Sequence, residues 1–394
     1  MFFFLLVLLL FEWLSAKSIR LFFFEKYALK KVFIWTLAPF IISVLFGLMI
    51  IFVIKPDYEY VRYTLLFYTL SFYFTFLIAK LFLLLLYPLY FLLKRLKRIS
   101  FIKVYIRRIM IFCIFGAIFI SLYGILVGKN KLMVTKIELK VEQLPESFDH
   151  FKIVQLSDMH LGSFWMQSSF IKKMVDSCNS QNPDLVIFSG DIVNQFSNEL
   201  LIFDTMLKNI NAPYGKYAVL GNHDFGDYTI WKSPVEKEKN TEEIIRLMEK
   251  NNFQYLRNKH IYIHKNADSV ALVGLDNWGL KPFKQYGDLK KAVVGMPLNA
   301  FSLIISHDPT HWDEQIKKMF SSSLTFSGHT HAFQFGLNWG DFKWSPSKLK
   351  YKKWWGIYAE KNNYLYVSRG IGTIGFMGRI GMYPEIVVIT LKRK

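Results

Sequence analysis

Residues 32–54 run for twenty-three positions without one charged side chain. As a helix rising 1.5 Å per residue, such a run spans the roughly 30 Å hydrocarbon core of a bilayer. Few soluble folds bury a helix that is apolar all round, so a membrane is the first constraint on this chain. Three further runs share the character: residues 1–16, 61–93 and 109–127. The first is short and apolar except for Glu12. No basic segment precedes it, so it is expected to be a span and not a cleaved signal peptide. Pro39 marks a kink in the second run. Residues 61–93 exceed the need of one crossing and include Arg62, Lys80 and Pro88, which predicts a tilted or broken helix.

The net charge is +19. In the first 128 residues it sits in clusters between apolar runs, the pattern of membrane loops and not of a nucleic-acid groove. Lys17, Arg20, Lys26, Lys30 and Lys31 separate the first two runs. Lys94, Arg95, Lys97, Arg98, Lys103, Arg107 and Arg108 separate the last two. Only Lys55, Asp57 and Glu59 separate the middle pair. Positive loops stay in the cytoplasm, so four spans carry residues 129–394 to the extracytoplasmic side. Against that bias stand Lys129, Lys131, Lys136 and Lys140 just after the last run. Lys80 is expected to snorkel to lipid phosphate. It and Glu12 are the two candidates for polar pairing within the spans, too few for a transporter, so residues 1–128 are expected to be an anchor.

Residues 129–394 have ordinary globular composition and are long enough for a full core. The two cysteines, Cys113 and Cys178, fall one in each part and predict no disulfide framework. The domain should open with an edge strand over 133–141. Short apolar strands then recur, and five of them end in polar turns. Residues 151–156 run into Ser157-Asp158-Met159-His160. Residues 184–188 lead to Ser189-Gly190-Asp191, and 217–220 to Gly221-Asn222-His223-Asp224. Residues 301–305 lead to Ser306-His307-Asp308-Pro309, and 324–326 to Ser327-Gly328-His329-Thr330-His331. Helices are expected over 167–178, 200–210, 242–250 and from 310 to about 319, with further strands at 270–275, 364–367 and 386–391. An open α/β sheet places its chemistry just beyond the carboxyl ends of its strands. Asp158, His160, Asp191, Asn222, His307, His329 and His331 would then share one pocket. All are oxygen or imidazole donors with no thiolate, a set that suits Mn²⁺, Fe or Zn²⁺. Seven donors are too many for one ion and suit two divalent metal ions bridged by one carboxylate.

Asp-x-His, Gly-Asp, Gly-Asn-His-Asp, a lone His and Gly-His-Thr-His, in that order, resemble the calcineurin-like metallophosphoesterases. The resemblance covers about residues 135–394. It implies a four-layer α/β/β/α sandwich, here preceded by about four transmembrane helices. It also implies that Asp158, His160, Asp191 and His331 hold one metal and that Asp191, Asn222, His307 and His329 hold the other. His223 would face the substrate phosphate, with Asp224 orienting it, and a metal-activated hydroxide would attack phosphorus. The Lys152-Ile153-Val154-Gln155-Leu156-Ser157 lead-in, the Ser368-Arg369-Gly370-Ile371-Gly372-Thr373 tail and Pro384-Glu385-Ile386 are similar to a membrane-anchored bacterial subgroup, the YkuE/YaeI-like phosphoesterases. Several spans before the domain also resemble vertebrate transmembrane proteins of this family. One departure is Ala332-Phe333-Gln334, where that subgroup often has Gly-Gly-Gln. It leaves the ligands untouched and alters the wall beside them.

His150, His260, His264 and His311 lack such context and are expected to be surface or core residues, His311 being the one near enough in sequence to line the pocket. Trp339, Trp344, Lys348, Lys350, Lys352, Lys353, Trp354 and Trp355 form an aromatic-basic segment that suits an anionic bilayer, single-stranded nucleic acid or a solvated loop with inward tryptophans. The glycines of 370–381, with Arg369 and Arg379, are expected to form a loop beside the pocket. The expected protein is an integral-membrane, multi-pass phosphoesterase acting on a phosphoester substrate at the lipid bilayer, with no stable nucleic-acid partner. A nucleotide or nucleic-acid phosphodiesterase and a non-catalytic membrane sensor with a metal-stabilised domain are the competing expectations.

Overall fold

A computed structural model describes residues 2–24, 26–53, 59–95, 100–164, 167–280, 284–340 and 342–394. Of the charges used to orient the spans, Lys55, Asp57, Lys97 and Arg98 lie outside the described residues. The chain divides into two compact units. One comprises Met1–Leu126 with Gly375–Gly378, and the other Val127–Ile374 with Arg379–Lys394.

The first unit is helical: α1 (Phe2–Phe23), α2 (Leu29–Val53), α3 (Glu59–Arg95) and α4 (Ser100–Leu126). Among the described residues three stretches are long and apolar enough to cross a membrane, Leu29–Val53, Val61–Pro88 and Val104–Asn130, against about four expected. The first apolar run is helical as α1. Pro39 and Pro88 lie inside α2 and α3, and α3 continues through Pro88 as one helix of 37 residues. Lys80 does not snorkel. Its Nζ lies 2.8 and 2.7 Å from the two carboxylate oxygens of Glu12 and 2.7 Å from the Thr36 carbonyl, and Tyr73 donates to Glu12 at 3.2 Å. Three acceptors inside the bundle meet the three N–H donors of the ammonium group.

The second unit begins with β1 (Met133–Val141) and β2 (Lys152–Leu156), followed by α5 (Ser168–Asn179) and β3 (Leu185–Phe188). Next come α6 (Asp204–Lys208), β4 (Lys216–Ala218), α7 (Pro234–Lys250), β5 (Phe253–Tyr255), β6 (Lys259–Lys265) and β7 (Asp268–Leu275). Then follow α8 (Leu289–Ala292), β8 (Ser302–Ser306), β9 (Ser323–Ser327), β10 (Leu337–Trp339), β11 (Phe342–Trp344), β12 (Gly356–Glu360), β13 (Asn363–Val367) and β14 (Glu385–Arg393). Two six-stranded sheets result, ordered β1-β14-β2-β3-β4-β5 and β12-β13-β9-β8-β7-β6; β10 and β11 pair with each other. Strands β2 to β5 run parallel, as do β13, β9, β8 and β7. The edge strand expected over 133–141 is β1, which pairs with β14.

Alternation along the central strands separates the layers. Val154, Leu156, Val186 and Phe188 face Phe170, Ile171 and Met174 of α5 and Ile244, Leu247 and Met248 of α7. Their neighbours Ile153, Leu185 and Ile187 face the other sheet, against Leu272, Leu303, Ile305, Leu324 and Phe326. Beyond that sheet, Val273, Leu275 and Ile304 pack on Leu289, Trp312 and Ile316. Three apolar interfaces make the four-layer α/β/β/α sandwich. Each fully buried side chain of this size contributes about 1.5–3 kcal/mol.

Three helices differ from expectation, the one over 200–210 being reduced to α6, Asp204–Lys208. α7 starts at Pro234, eight residues early, because Ser233 caps it by accepting from the Glu236 N–H (3.2 Å) and proline suits the first turn. The segment after His307 winds as a π-helix over Trp312–Ile316.

Candidate metal centre

β2, β3, β4, β8 and β9 all belong to the parallel middles of the two sheets, so their carboxyl ends emerge together. The structure gathers two groups of donor atoms there, each with all atoms within 4.8 Å of one another. One is Asp158, His160, Asp191 and His331; the other is Asp191, His307 and His329. Asn222 joins the second, with Oδ1 2.7 Å from His329 Nδ1. All seven predicted positions are therefore in one place, and Asp191 belongs to both groups.

The backbone at these positions is unusual. Asp158, His160, Asp191, His329 and His331 have φ of 49°, 46°, 60°, 70° and 50°. The left-handed region costs a residue with a Cβ about 1–3 kcal/mol, and such residues concentrate at functional sites. Two glycines make room. A Cβ at Gly328 would collide with Asp158 Oδ2, and one at Gly221 with Asp191 Oδ1. Backbone N–H groups hold the carboxylates: His329 donates to Asp158 Oδ1 (2.9 Å) and His223 to Asp191 Oδ1 (2.8 Å).

The remaining donor surface suits a cation. His307 Nδ1 lies 2.8 Å from the Ser189 carbonyl, which only accepts, so Nδ1 carries the proton and Nε2 faces inward. That Nε2 sits 3.1 Å from Asp191 Oδ2 but is not aligned for a hydrogen bond. His160 and His331 bring their Nε2 atoms to 3.1 Å, with Asp158 Oδ1 3.3 Å from the latter. His160 Nδ1 is buried with no hydrogen-bond partner. Lone pairs and carboxylate oxygens converging in this way fit divalent cations, with Ser189 fixing one ring from behind.

Electrostatics agree. Burial, then the His223 ring, pushes His160 down to about 3. Burial, opposed by Asp308, pushes His329 down to about 4. Both stay neutral and available as ligands at neutral pH. Burial also lowers His307, but Asp191 and Asp158 outweigh it and raise that ring to about 10. A metal ion here must displace a proton. Asp158 is pushed up to about 6, chiefly by burial, while His307 and His223 hold Asp191 well below the usual carboxylate range despite its burial.

A calcineurin-like phosphoesterase model matches residues 151–333, a span that holds all five strand ends. The chain carries a calcineurin-like metallophosphoesterase domain. The matched span thus sets this chain's donor loops beside those of a phosphoesterase family. It is 29% identical to the uncharacterised metallophosphoesterase YkuE of Bacillus subtilis, over 67% of this chain and 86% of that protein. A Danio rerio transmembrane protein with a metallophosphoesterase domain is 28% identical over 70% of this chain, which spans only 60% of that protein's length. The UDP-2,3-diacylglucosamine pyrophosphatase LpxG of Chlamydia muridarum is 28% identical over 62% of this chain and 84% of its own. These relatives and the three apolar helices make the metallophosphoesterase membrane-associated.

The Asp224 expectation needs correction. Its carboxylate does not orient the His223 ring. Oδ2 accepts from the N–H groups of Asp191 and Gly221, both at 2.9 Å, and Oδ1 from Ile192 and Val193 at 2.9 and 3.3 Å. It ties two donor loops together. His223 is held instead by the Asn194 carbonyl, 2.8 Å from Nδ1, and by stacking on Tyr228 (4.5 Å between centroids, 29°). Asn194, Tyr228 and Tyr351 escaped sequence reasoning. The Tyr228 hydroxyl accepts from Asn222 Nδ2 (2.8 Å), and the Tyr351 hydroxyl lies 2.9 Å from His329 Nε2. No motif signals them, because each comes from a loop.

His311 is buried beside the site without entering it; it stacks on Trp278 (4.5 Å, 5°) and bonds Ser306 and Gln315. The tail arginines do not reach into the pocket. Arg369 pairs with Glu385 at 2.8 Å. Arg379 is fully buried and donates to the carbonyls of Gly372, Arg369 and Met382, behind His331.

Proposed function

We propose that this protein is an integral-membrane phosphoesterase that uses two divalent cations on lipid-linked or envelope phosphoesters, with residues 1–128 as anchor and 129–394 as an extracytoplasmic catalytic domain. The convergence of seven donors from five strand ends carries the reading. Asp158, His160, Asp191 and His331 would hold one ion, and Asp191, Asn222, His307 and His329 the other. Mn²⁺, Fe and Zn²⁺ all suit these donors. When bound, such ions lower the pKa of water towards neutrality and offset charge on phosphate oxygens.

The side chains then do the following. Asp224 keeps the loops of Asp191 and Asn222 in register through four N–H groups. Ser189 holds the His307 ring in one tautomer. His223, its Nδ1 committed to Asn194, has Nε2 left to exchange a proton with the departing oxygen. Tyr228 fixes both the His223 ring and the Asn222 amide, so ligand and proton donor move together.

Support for a lipid-linked substrate comes from the membrane helices and from LpxG, whose name specifies a diacylated sugar nucleotide. Support for the orientation comes from the basic loops. The test uses the full chain in nanodiscs with Mn²⁺ and an aryl phosphodiester, followed by a panel of lipid-linked and nucleotide phosphoesters. Turnover that disappears with a chelator and favours the lipid-linked members is expected. Preference for nucleotides overturns the substrate class, and no turnover with any metal overturns the enzyme reading in favour of a sensor. Protease cleavage of the domain in intact cells, or its absence, decides the orientation.

A further inference from the structure

The hairpin after the metal loop exposes several large apolar side chains close together. β10 and β11 pair with each other, and all six of their residues are exposed. Trp339 is 88% exposed, Phe342 and Leu337 58% each, Phe333 62% and Leu349 88%. A two-stranded ribbon with its aromatics in water is marginal by itself. Basic residues share the segment: Lys343, Lys348, Lys350, Lys352 and Lys353, against Asp341 as the one acid in residues 333–355. Lys353 is engaged by Asp313 at 2.8 Å.

The base of this segment is bolted to the metal loop. Ser345 donates to the Ala332 carbonyl (2.7 Å), Ser347 to the Thr330 carbonyl (3.2 Å) and Thr330 to the Trp354 carbonyl (2.6 Å). Trp354 is buried against Ala332 and Met382. Of the four tryptophans in the segment, Trp354 is buried, Trp355 half-buried, and Trp339 and Trp344 exposed. The segment therefore has a fixed root and an apolar, cationic tip.

We propose that the β10–β11 hairpin is an interfacial anchor that seats in an anionic lipid surface, its aromatics among the headgroups and its lysines on lipid phosphate. Tryptophan and phenylalanine with flanking lysines match the boundary between headgroups and acyl chains. Lysine charge matches an anionic leaflet. Only residues 127–132 separate the end of α4 from β1, so this domain is covalently leashed to a membrane helix. Stacking on single-stranded nucleic acid needs the same residue types but has no such leash in its favour. Through Ser345 and Ser347, a seated hairpin holds the loop carrying His329 and His331 at the lipid surface.

The test uses the full chain in nanodiscs, with a single environment-sensitive dye at Trp339→Cys, a duplicate at Phe342→Cys, and a reference at the exposed Val294→Cys on the same domain. Labelled parent protein corrects for Cys113 and Cys178. Lipids carrying a nitroxide quencher near the headgroup should quench positions 339 and 342 about twofold or more over position 294, and more strongly in phosphatidylglycerol than in phosphatidylcholine discs. Lys348→Glu with Lys352→Glu should erase the difference between the lipids. Equal quenching at the tip and at 294 overturns the proposal. So does tip emission that stays water-like in both discs but shifts with an oligothymidylate. The readout needs no turnover, so it stands or falls separately from the hydrolase reading.

Discussion

The two units bury charge in opposite ways. In the helical unit one lysine meets one carboxylate, and every capacity is met: Lys80 reaches both oxygens of Glu12 and a backbone carbonyl. At the strand ends of the sandwich, four buried aspartates lie among five buried or half-buried histidines, and pairing is left incomplete at His160 Nδ1 and His307 Nε2. A closed pair is structural, because it has nothing left to offer a ligand. An open cluster kept in left-handed backbone is costly unless something completes it. The same chemistry, buried charge, thus marks architecture where a pair closes, as at Lys80–Glu12, and function where a cluster stays open.

The contrast is easiest to break at Asp191. Asp191→Ala removes the carboxylate common to both groups, and bound metal by elemental analysis should fall together with turnover of an aryl phosphodiester to background. Retained hydrolysis would sink the assignment. His223→Ala comes next: metal content unchanged, turnover down about 10²–10⁴-fold, the range for a lost general acid. In the helical unit, Lys80→Met leaves Glu12 uncompensated and should cost about 3–5 kcal/mol, read as a lower Tm in detergent. Adding Glu12→Gln should recover most of the loss, which a merely solvated pair would not show. The smallest effect is expected from Tyr351→Phe. Losing the hydroxyl beside His329 should weaken metal affinity about 10–100-fold, visible as a higher Mn²⁺ requirement and not as lost maximal rate.

The donors were legible because each sits within four residues of the end of a short apolar strand, and parallel packing does the rest. Their supports were not. Asp224 shares a motif with His223, yet sequence cannot tell that its oxygens face backbone N–H groups of another loop. Tyr228 and Tyr351 reach the site from loops whose course depends on tertiary packing. β6 is missed for another reason: Lys259-His260-Ile261-Tyr262-Ile263-His264-Lys265 is polar on one face, as an outer strand is, and so lacks an apolar run. In the spans, Lys80 and Glu12 were the right two residues, but 68 positions separate them and only helix packing shows that they meet.

One feature of the first sheet bears on how the protein is made. β14 lies between β1 and β2, and Thr135 hydrogen-bonds Glu385 across 250 positions of chain. The ribosome therefore delivers β1 long before its neighbour exists. Until β14 arrives, that strand is an open edge, the kind that recruits other nascent chains. A truncation that removes β14 would leave every metal donor encoded and still strand the first element of the domain, so it should yield aggregates in place of a weakened enzyme.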